Sequence, residues 1–394
     1  MLEGKKIILG VTGGIAAYKM TSLTRLLVKE GASVQIIMSP EAVQFVSPLV
    51  LSTLSNNQVL IHLHENNQWN NHIELATWAD LMIIAPATAN TLAKAAHGLS
   101  DSLLLATFLS KKSNIMFVPA MDEDMWLNPI TQKNIDILTS LDHDILPVGE
   151  GFLASGIEGK GRMLEPEEIV LYVKENYGRT KSMSGKKILI TAGPTQESID
   201  PVRFISNHSS GKMGIALAET CYENGAEVQL ILGPTHLKPI YKGIEVVSVA
   251  TAEEMKVACD IYFNEVNIIF MAAAVADYKP MTRSSQKIKK IEEELELTLC
   301  KNEDILKGLG LKKKEGQVLI GFALESENEI ENALAKLKSK NLDFIVLNSL
   351  KDEGAGFGYD TNQVTLINKK GDKFQSDLLS KKDIANFILS HLFS

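Results

Sequence analysis

Lys5-Lys6-Ile7-Ile8-Leu9-Gly10-Val11-Thr12-Gly13-Gly14 opens the chain, and Lys186-Lys187-Ile188-Leu189-Ile190-Thr191-Ala192-Gly193-Pro194 repeats the design in its second half. In each, an apolar run without polar alternation ends in a glycine turn and leads into a helical pattern. A second apolar run follows, Ser33-Val34-Gln35-Ile36-Ile37-Met38 in one half and Glu227-Val228-Gln229-Leu230-Ile231-Leu232 in the other. Strand, tight turn, helix and strand make a βαβ unit, and unbroken apolar runs suit strands covered on both faces. Similar runs at 81–85 and 114–118, and at 266–272, 318–322 and 343–347, extend each sheet. The expected fold class is α/β, with two Rossmann-like domains built on mainly parallel sheets. Between them, 174–185 (KENYGRTKSMSG) is polar and contains Gly, Ser and Thr, the composition of a linker. The expected domains are therefore 1–180 and 185–394. The second half also inserts 194–206 after its first strand, at the sheet edge where open α/β folds bind ligands.

Hydrophobic residues are 45% and charged residues 22% of the 394, a globular balance with enough chain for two or three cores. The net charge of -8 disfavours nucleic acid or an anionic membrane as main partner. Anionic ligands must then be held by local devices: helix starts, glycine loops and a few placed lysines. No apolar run approaches the ~20 residues of a membrane span, and the opening MLEGKKIILG lacks the order of a signal peptide. Cys221, Cys259 and Cys300 are far apart and odd in number, giving no disulfide or zinc pattern. The cytoplasm is the expected compartment.

In the first half, Gly13-Gly14-Ile15-Ala16 sets small residues at a helix start, where bare N–H groups can hold a phosphate. The spacing is neither GxGxxG nor a P-loop. A nicotinamide oxidoreductase is disfavoured, because the third glycine and an acidic residue after the second strand are missing. His62-x-His64 has no third ligand at a suitable spacing, so the metal ligands stay unassigned. More specific are Asn71-His72-Ile73-Glu74, Ala85-Pro86-Ala87-Thr88-Ala89-Asn90, Pro119-Ala120-Met121-Asp122-Glu123 and Gly159-Lys160-Gly161-Arg162-Met163. With these four motifs in order, residues 5–165 resemble the phosphopantothenoylcysteine decarboxylases of the flavin-dependent cysteine decarboxylase family. The resemblance implies a flavodoxin-like unit, bound FMN and trimer-based assembly. It implies FMN contacts from Gly13, Ile15, Ser39, Ala85, Thr88 and Asn90, a base at His72, and a substrate lid that includes Arg162 and Met163. The residue type suits that role, since oxidising a cysteine thiol needs a proton acceptor near neutral pH.

Two positions depart from the family, which has Asn where this chain has Asp122 and Cys where it has Ser155. The Asn holds the substrate carboxylate and the Cys supplies the last proton, and a serine hydroxyl is a far weaker acid than a thiol. The expectation is that the pair changed together, with Asp122 taking over part of the proton delivery. The alternative is an active ligase joined to a catalytically silent flavin-binding scaffold.

In the second half, Asn207-His208-Ser209-Ser210-Gly211-Lys212 precedes an apolar helix and forms a second anion site. Together with Met271-Ala272-Ala273-Ala274-Val275-Ala276-Asp277 and Lys287-Ile288-Lys289, it makes residues 185–390 resemble the bacterial CTP-using phosphopantothenate–cysteine ligases. In that family the 4'-phosphopantothenate carboxylate attacks CTP, and cysteine then displaces CMP from the acyl-cytidylate. The resemblance implies that Lys287 neutralises charge on the triphosphate and Asn207 holds the acyl-cytidylate. It places Ser210, Gly211, Lys212, Ala272, Ala273 and Asp277 against CTP or phosphopantothenate. Asn302, Asp304, Ile305, Phe322, Lys336 and Lys340 complete the implied nucleotide site. Lys301-Asn302-Glu303-Asp304 lacks the family's proline. Mg2+ is expected with the triphosphate. The implied partners are these small molecules, with no nucleic acid or membrane, and a homo-oligomer, a dodecamer if ligase dimers join decarboxylase trimers.

Overall fold

The computed structural model describes residues 2–65, 68–112, 114–289, 295–349 and 359–392. Two compact units divide the chain, Met1–Gly178 and Arg179–Ser394.

In the first unit, β1 (Lys6–Val11), β2 (Ser33–Met38), β3 (Leu81–Ala87), β4 (Ile115–Pro119) and β5 (Asp144–Ile145) form a parallel sheet in the order β2-β1-β3-β4-β5. Each apolar run feeds two cores, because successive side chains of a strand point to opposite faces. Ile7, Leu9 and Val11 of β1 join Leu23 and Leu27 of α1 (Met20–Lys29) on one face. Ile8 instead joins Leu92, Leu104 and Phe108 on the other face. Those residues lie on α4 (Ala89–Ala96) and α5 (Leu103–Ser110), which follow α2 (Pro48–Ser55) and α3 (His72–Trp78). A strand buried on both sides needs apolar residues at every position, which is why the runs show no alternation. β6 (Gly149–Phe152) and β7 (Glu158–Arg162) form a separate antiparallel hairpin.

In the second unit, β8 (Lys187–Ala192), β9 (Gln196–Ser198) and β10 (Phe204–Ser206) precede α6 (Lys212–Glu223). The inserted stretch thus folds as an antiparallel β9–β10 hairpin rather than an open loop. Next come β11 (Glu227–Leu232), β12 (Glu245–Ser248), β13 (Ile268–Met271), β14 (Val318–Glu325), β15 (Phe344–Ser349), β16 (Val364–Asn368) and β17 (Lys373–Gln375). The sheet order is β12-β11-β8-β13-β14-β15-β16-β17, six parallel strands followed by two antiparallel ones. Its first six positions have the dinucleotide-binding arrangement. A Cβ on Gly214 would come 2.4 Å from the Ala192 Cβ, so glycine lets the start of α6 sit directly on the end of β8.

The polar stretch 174–185 is shared between the units. Lys174 reaches Glu30 of the first at 3.1 Å. Arg179 bonds the Tyr222 and Ala226 carbonyls of the second at 2.9 and 3.0 Å and stacks on the Tyr222 ring. Among the described residues, no helix is long and apolar enough to cross a membrane.

Candidate active sites

Both sheets reverse strand order beside their first strand, and a crevice opens there at the carboxyl ends of the strands. In the first unit, a threonine that the sequence reading passed over ties the crevice together. Thr12 donates to the Pro86 carbonyl and accepts the Thr88 N–H at 3.4 Å, joining the loops that follow β1 and β3. Thr88 in turn caps α4 by accepting the Thr91 N–H. A cavity of about 760 Å³ lies over these loops, with Gly13, Ile15, Ser39, Thr88 and Asn90 in its wall. The Ser39 hydroxyl oxygen is buried there without a hydrogen-bond partner.

The β6–β7 hairpin forms the opposite wall through Phe152, Arg162 and Met163. Its close approach to the loop after β4 requires glycine. Gly161 has φ +139°, and a Cβ there would sit 2.1 Å from the Met121 carbonyl oxygen. The Met121 N–H reaches the Gly161 carbonyl at 3.1 Å. Lys19, almost fully buried, fastens the far end through the Met163 carbonyl at 3.2 Å and Glu165 at 2.8 Å. The Lys19 hydrogen bond holds the Glu165 carboxyl below its usual range against burial, helped by the charges of Lys19 and Arg162. At the hairpin tip, the Ser155 hydroxyl donates to Asp122 at 2.8 Å, and both residues are exposed. Replacing Gly161 with Ala is expected to push the hairpin off this wall. Flavin affinity, read by fluorescence titration, should weaken by about tenfold or more, since the strained φ and the clash each cost on the order of 1–3 kcal/mol.

Two of the expected site residues lie outside this cavity's wall. Ala85 is fully buried within β3 and its side chain belongs to the core, so it supports the loop from behind and any ligand contact there would come from its backbone. His72 is not in the cavity wall of its own chain either. Asn71 caps the helix His72–Trp78 by accepting from Ile73 and Glu74, which fixes His72 at its first position. That helix packs against α5, whose Leu104 and Leu105 face the cavity. The His72 ring stands edge-on to Trp69 with centroids 5.8 Å apart, and its Nδ1 is buried without a partner.

The second crevice is wired by two more threonines, Thr191 and Thr195, both fully buried. Thr191 accepts the Ala273 N–H at 3.2 Å and Thr195 the Ala276 N–H at 2.9 Å, shaping the loop that follows β13. Asn207 donates to the Ala274 and Val275 carbonyls at 3.3 and 3.0 Å. Asn302 donates its side chain to the Ala276 carbonyl and its N–H to the Asp277 carbonyl, each at 2.8 Å. These contacts bring Asn207, Ala272, Ala273, Asp277 and Asn302 to one edge of the sheet. Gly211 caps α6 in the left-handed conformation, Ser210 accepts from Thr235, and Lys212 pairs with Asp360 at 2.6 Å. Lys336 donates to the Phe322 carbonyl at 2.8 Å. Burial, then the neighbouring charge of Lys340, push its pKa down. Lys340 pairs with Asp304 at 3.0 Å. The Ile305 side chain is buried in the core, and Asp304 beside it caps the helix that it begins, so a ligand contact from Ile305 would come from its backbone at that helix start. Among the described residues, no cluster of three or more His, Cys, Asp or Glu side chains could hold a metal ion.

Residues 1–178 match the Flavoprotein family, and residues 183–394 match the DNA/pantothenate metabolism flavoprotein C-terminal domain. The coenzyme A biosynthesis bifunctional protein CoaBC of Bacillus subtilis (strain 168) is 43% identical over 396 residues, which span 100% of this chain and 97% of that one. The chain belongs to the CoaBC family. The CoaBC protein of Vibrio cholerae is 41% identical, over 98% of each chain. A cysteine/cysteine sulfinic acid decarboxylase from an unknown prokaryotic organism is 49% identical over 355 residues, 89% of this chain and 99% of that protein.

Proposed function

We propose that residues 1–180 form an FMN-dependent phosphopantothenoylcysteine decarboxylase and residues 185–394 a CTP-dependent phosphopantothenate–cysteine ligase, so that the chain carries out consecutive steps of coenzyme A synthesis. The observation that carries this reading is one switch-point site in each unit, in a chain whose bifunctional CoaBC relatives match it end to end. On this reading the enzyme works in the cytoplasm.

In the ligase half, the phosphopantothenate carboxylate attacks the α-phosphorus of CTP, and pyrophosphate leaves. Lys287 neutralises charge on the departing phosphates, while Lys212, Lys336 and Lys340 hold the anionic substrates. Asn207, oriented by the Ala274 and Val275 carbonyls, holds the acyl-cytidylate while the cysteine amine displaces CMP. Mg2+, if bound with the triphosphate, would neutralise part of its charge for the attack.

The first cavity suits FMN. Its volume is that of a nucleotide-sized ligand, it sets apolar Ile15, Met121 and Phe152 beside polar Thr88 and Asn90, and it leaves the Ser39 hydroxyl seeking a partner. FMN supplies the two-electron chemistry that makes the cysteine carboxylate labile. The protein's tasks are to close the β6–β7 hairpin over the substrate and to manage protons. His72 accepts the thiol proton, and the Asp122–Ser155 pair at the hairpin tip returns one to the product. Because His72 lies outside its own cavity, a second copy supplies it in a homo-oligomer, trimer-based as in the resembled family and dodecameric if the ligase halves pair. Ile15 and Tyr18 beside the cavity are 60% and 58% exposed, and Trp69 and Ile73 beside His72 are 52% and 56% exposed, giving two apolar surfaces to join.

A second reading has the Asp122 carboxylate in its favour. A carboxylate in the cavity wall attracts a cation, and free cysteine carries an ammonium where phosphopantothenoylcysteine carries an amide. One relative is named for decarboxylating cysteine. In that reading the first unit acts on cysteine without help from the second.

Product analysis by mass separates these readings. With 4'-phosphopantothenate, cysteine, CTP and magnesium, the expected products are 4'-phosphopantetheine, CMP and pyrophosphate in equal amounts. Phosphopantothenoylcysteine accumulating instead would show a silent flavin scaffold, and cysteamine formed without CTP would favour the second reading.

A further inference from the structure

Lys287 is exposed, and no described contact holds its side chain, yet the backbone on either side of it is fastened to one structure. That structure is the turn between β9 and β10. Upstream of Lys287, the Ser284 N–H donates to the Ile199 carbonyl at 3.0 Å. Immediately downstream, both polar groups of the Ile288 peptide are taken up. Its N–H donates to Asp200 at 3.2 Å, and its carbonyl accepts from the Arg203 guanidinium at 2.8 Å.

Asp200 is built to do this. Its side chain is fully shielded from solvent, and its other oxygen accepts the Val202 and Arg203 N–H groups at 2.8 Å each. The Arg203 guanidinium, 3.7 Å from the oxygen that faces Ile288, adds an ion pair to these three N–H donors. Burial alone would push this carboxyl up, but the N–H groups of Val202, Ile288 and Arg203 and the Arg203 charge hold it below its usual range. It is therefore an ionised acceptor, as the Ile288 contact needs. The same hairpin leads directly into Asn207, whose amide is held by the Ala274 and Val275 carbonyls. One hairpin thus sets Asn207 at its base and the Lys287 segment at its tip.

We propose that Asp200 and Arg203 are positioning residues for the ligase reaction, clamping the Ile288 peptide so that Lys287 is presented at a fixed height relative to Asn207. This inference rests on the reading of residues 185–394 as a ligase in which Lys287 meets the triphosphate.

The test uses full-length Asp200→Asn and Arg203→Met chains, with trypsin cleavage after Lys287 and Lys289 as one readout and pyrophosphate release from CTP as the other. Asn offers one acceptor oxygen where Asp offers two, and Met removes the carbonyl donor. Arg203 is also partly exposed, so its variant keeps the test open should Asp200→Asn fail to fold. The expected result is cleavage faster by about tenfold or more, because local release exposes the segment to the protease. Pyrophosphate release should fall by about tenfold to a hundredfold, as misplacement of a positioned group does. KM for cysteine should stay unchanged, since the clamp acts on the nucleotide step, and flavin content should stay at the parent level. Unchanged cleavage, or faster cleavage with undiminished pyrophosphate release, would overturn the proposal. A parent chain that releases no pyrophosphate would instead overturn the ligase reading, and the cleavage rates alone would then decide the clamp.

Discussion

His72→Asn is expected to lower CO2 release from phosphopantothenoylcysteine by about a hundredfold to ten-thousandfold, the range that general-base catalysis supplies. Flavin content and pyrophosphate release should be unchanged. Asn keeps the polarity and nearly the volume of the ring but cannot accept and hold a proton. The helix should survive, because its cap belongs to Asn71 and not to His72. A sharper consequence follows from the location of His72 outside the cavity of its own chain. Chains carrying His72→Asn, co-expressed with chains carrying Gly161→Ala, should form mixed oligomers in which some cavities have an intact hairpin and a histidine from the neighbour. Decarboxylation in such mixtures should exceed the sum of the two variants alone. If the mixture only averages them, His72 does not act across copies.

Lys287→Met should lower CTP-dependent pyrophosphate release by about a hundredfold to a thousandfold, the loss typical of removing one group that stabilises charge in a transition state. Met retains much of the apolar stem, so the loss reports the ammonium. Because Lys287 is exposed and the fastened groups beside it are backbone, thermal unfolding should be unchanged. CO2 release from supplied phosphopantothenoylcysteine should also be unchanged, since the proposed reading gives CTP to the ligase half alone. A parallel loss of both activities would mean that the two halves are catalytically coupled.

Most of the scaffold is legible in the sequence because strands covered on both faces leave an unmistakable record. Ile7, Ile8 and Leu9 are all buried although they point to opposite faces, and Ile188, Leu189 and Ile190 repeat the pattern. The glycine turns locate both crevices for the same reason: the backbone must turn sharply where strand meets helix. What the sequence hides is the wiring across the crevices. Thr12 and Thr191 follow their apolar runs as unremarkable polar residues, and only strand order shows that their hydroxyls bridge to loops 76 and 82 residues away. Asp200 and Arg203 are equally silent, because their partner Ile288 is distant in the chain and is engaged through its backbone, which carries no sequence signal. Ala85 and Ile305 show the converse, side chains turned away from the crevices their motifs border. Their motifs do reach the sites, but alternation along a strand and the apolar face of a helix turn these two side chains inward. His72 marks a different limit: it has no place in the cavity wall of its own chain, and the proposed reading needs a second copy to bring it there.

The most direct test of the whole assignment is release of labelled CO2 from cysteine labelled in its carboxyl group, measured with 4'-phosphopantothenate and magnesium present and with CTP either added or withheld. The expected result is release only when CTP is added, with one CO2 for each pyrophosphate, because the carboxyl becomes a substrate after ligation. Release that proceeds equally without CTP, or its absence while pyrophosphate accumulates, would contradict a chain that ligates and then decarboxylates.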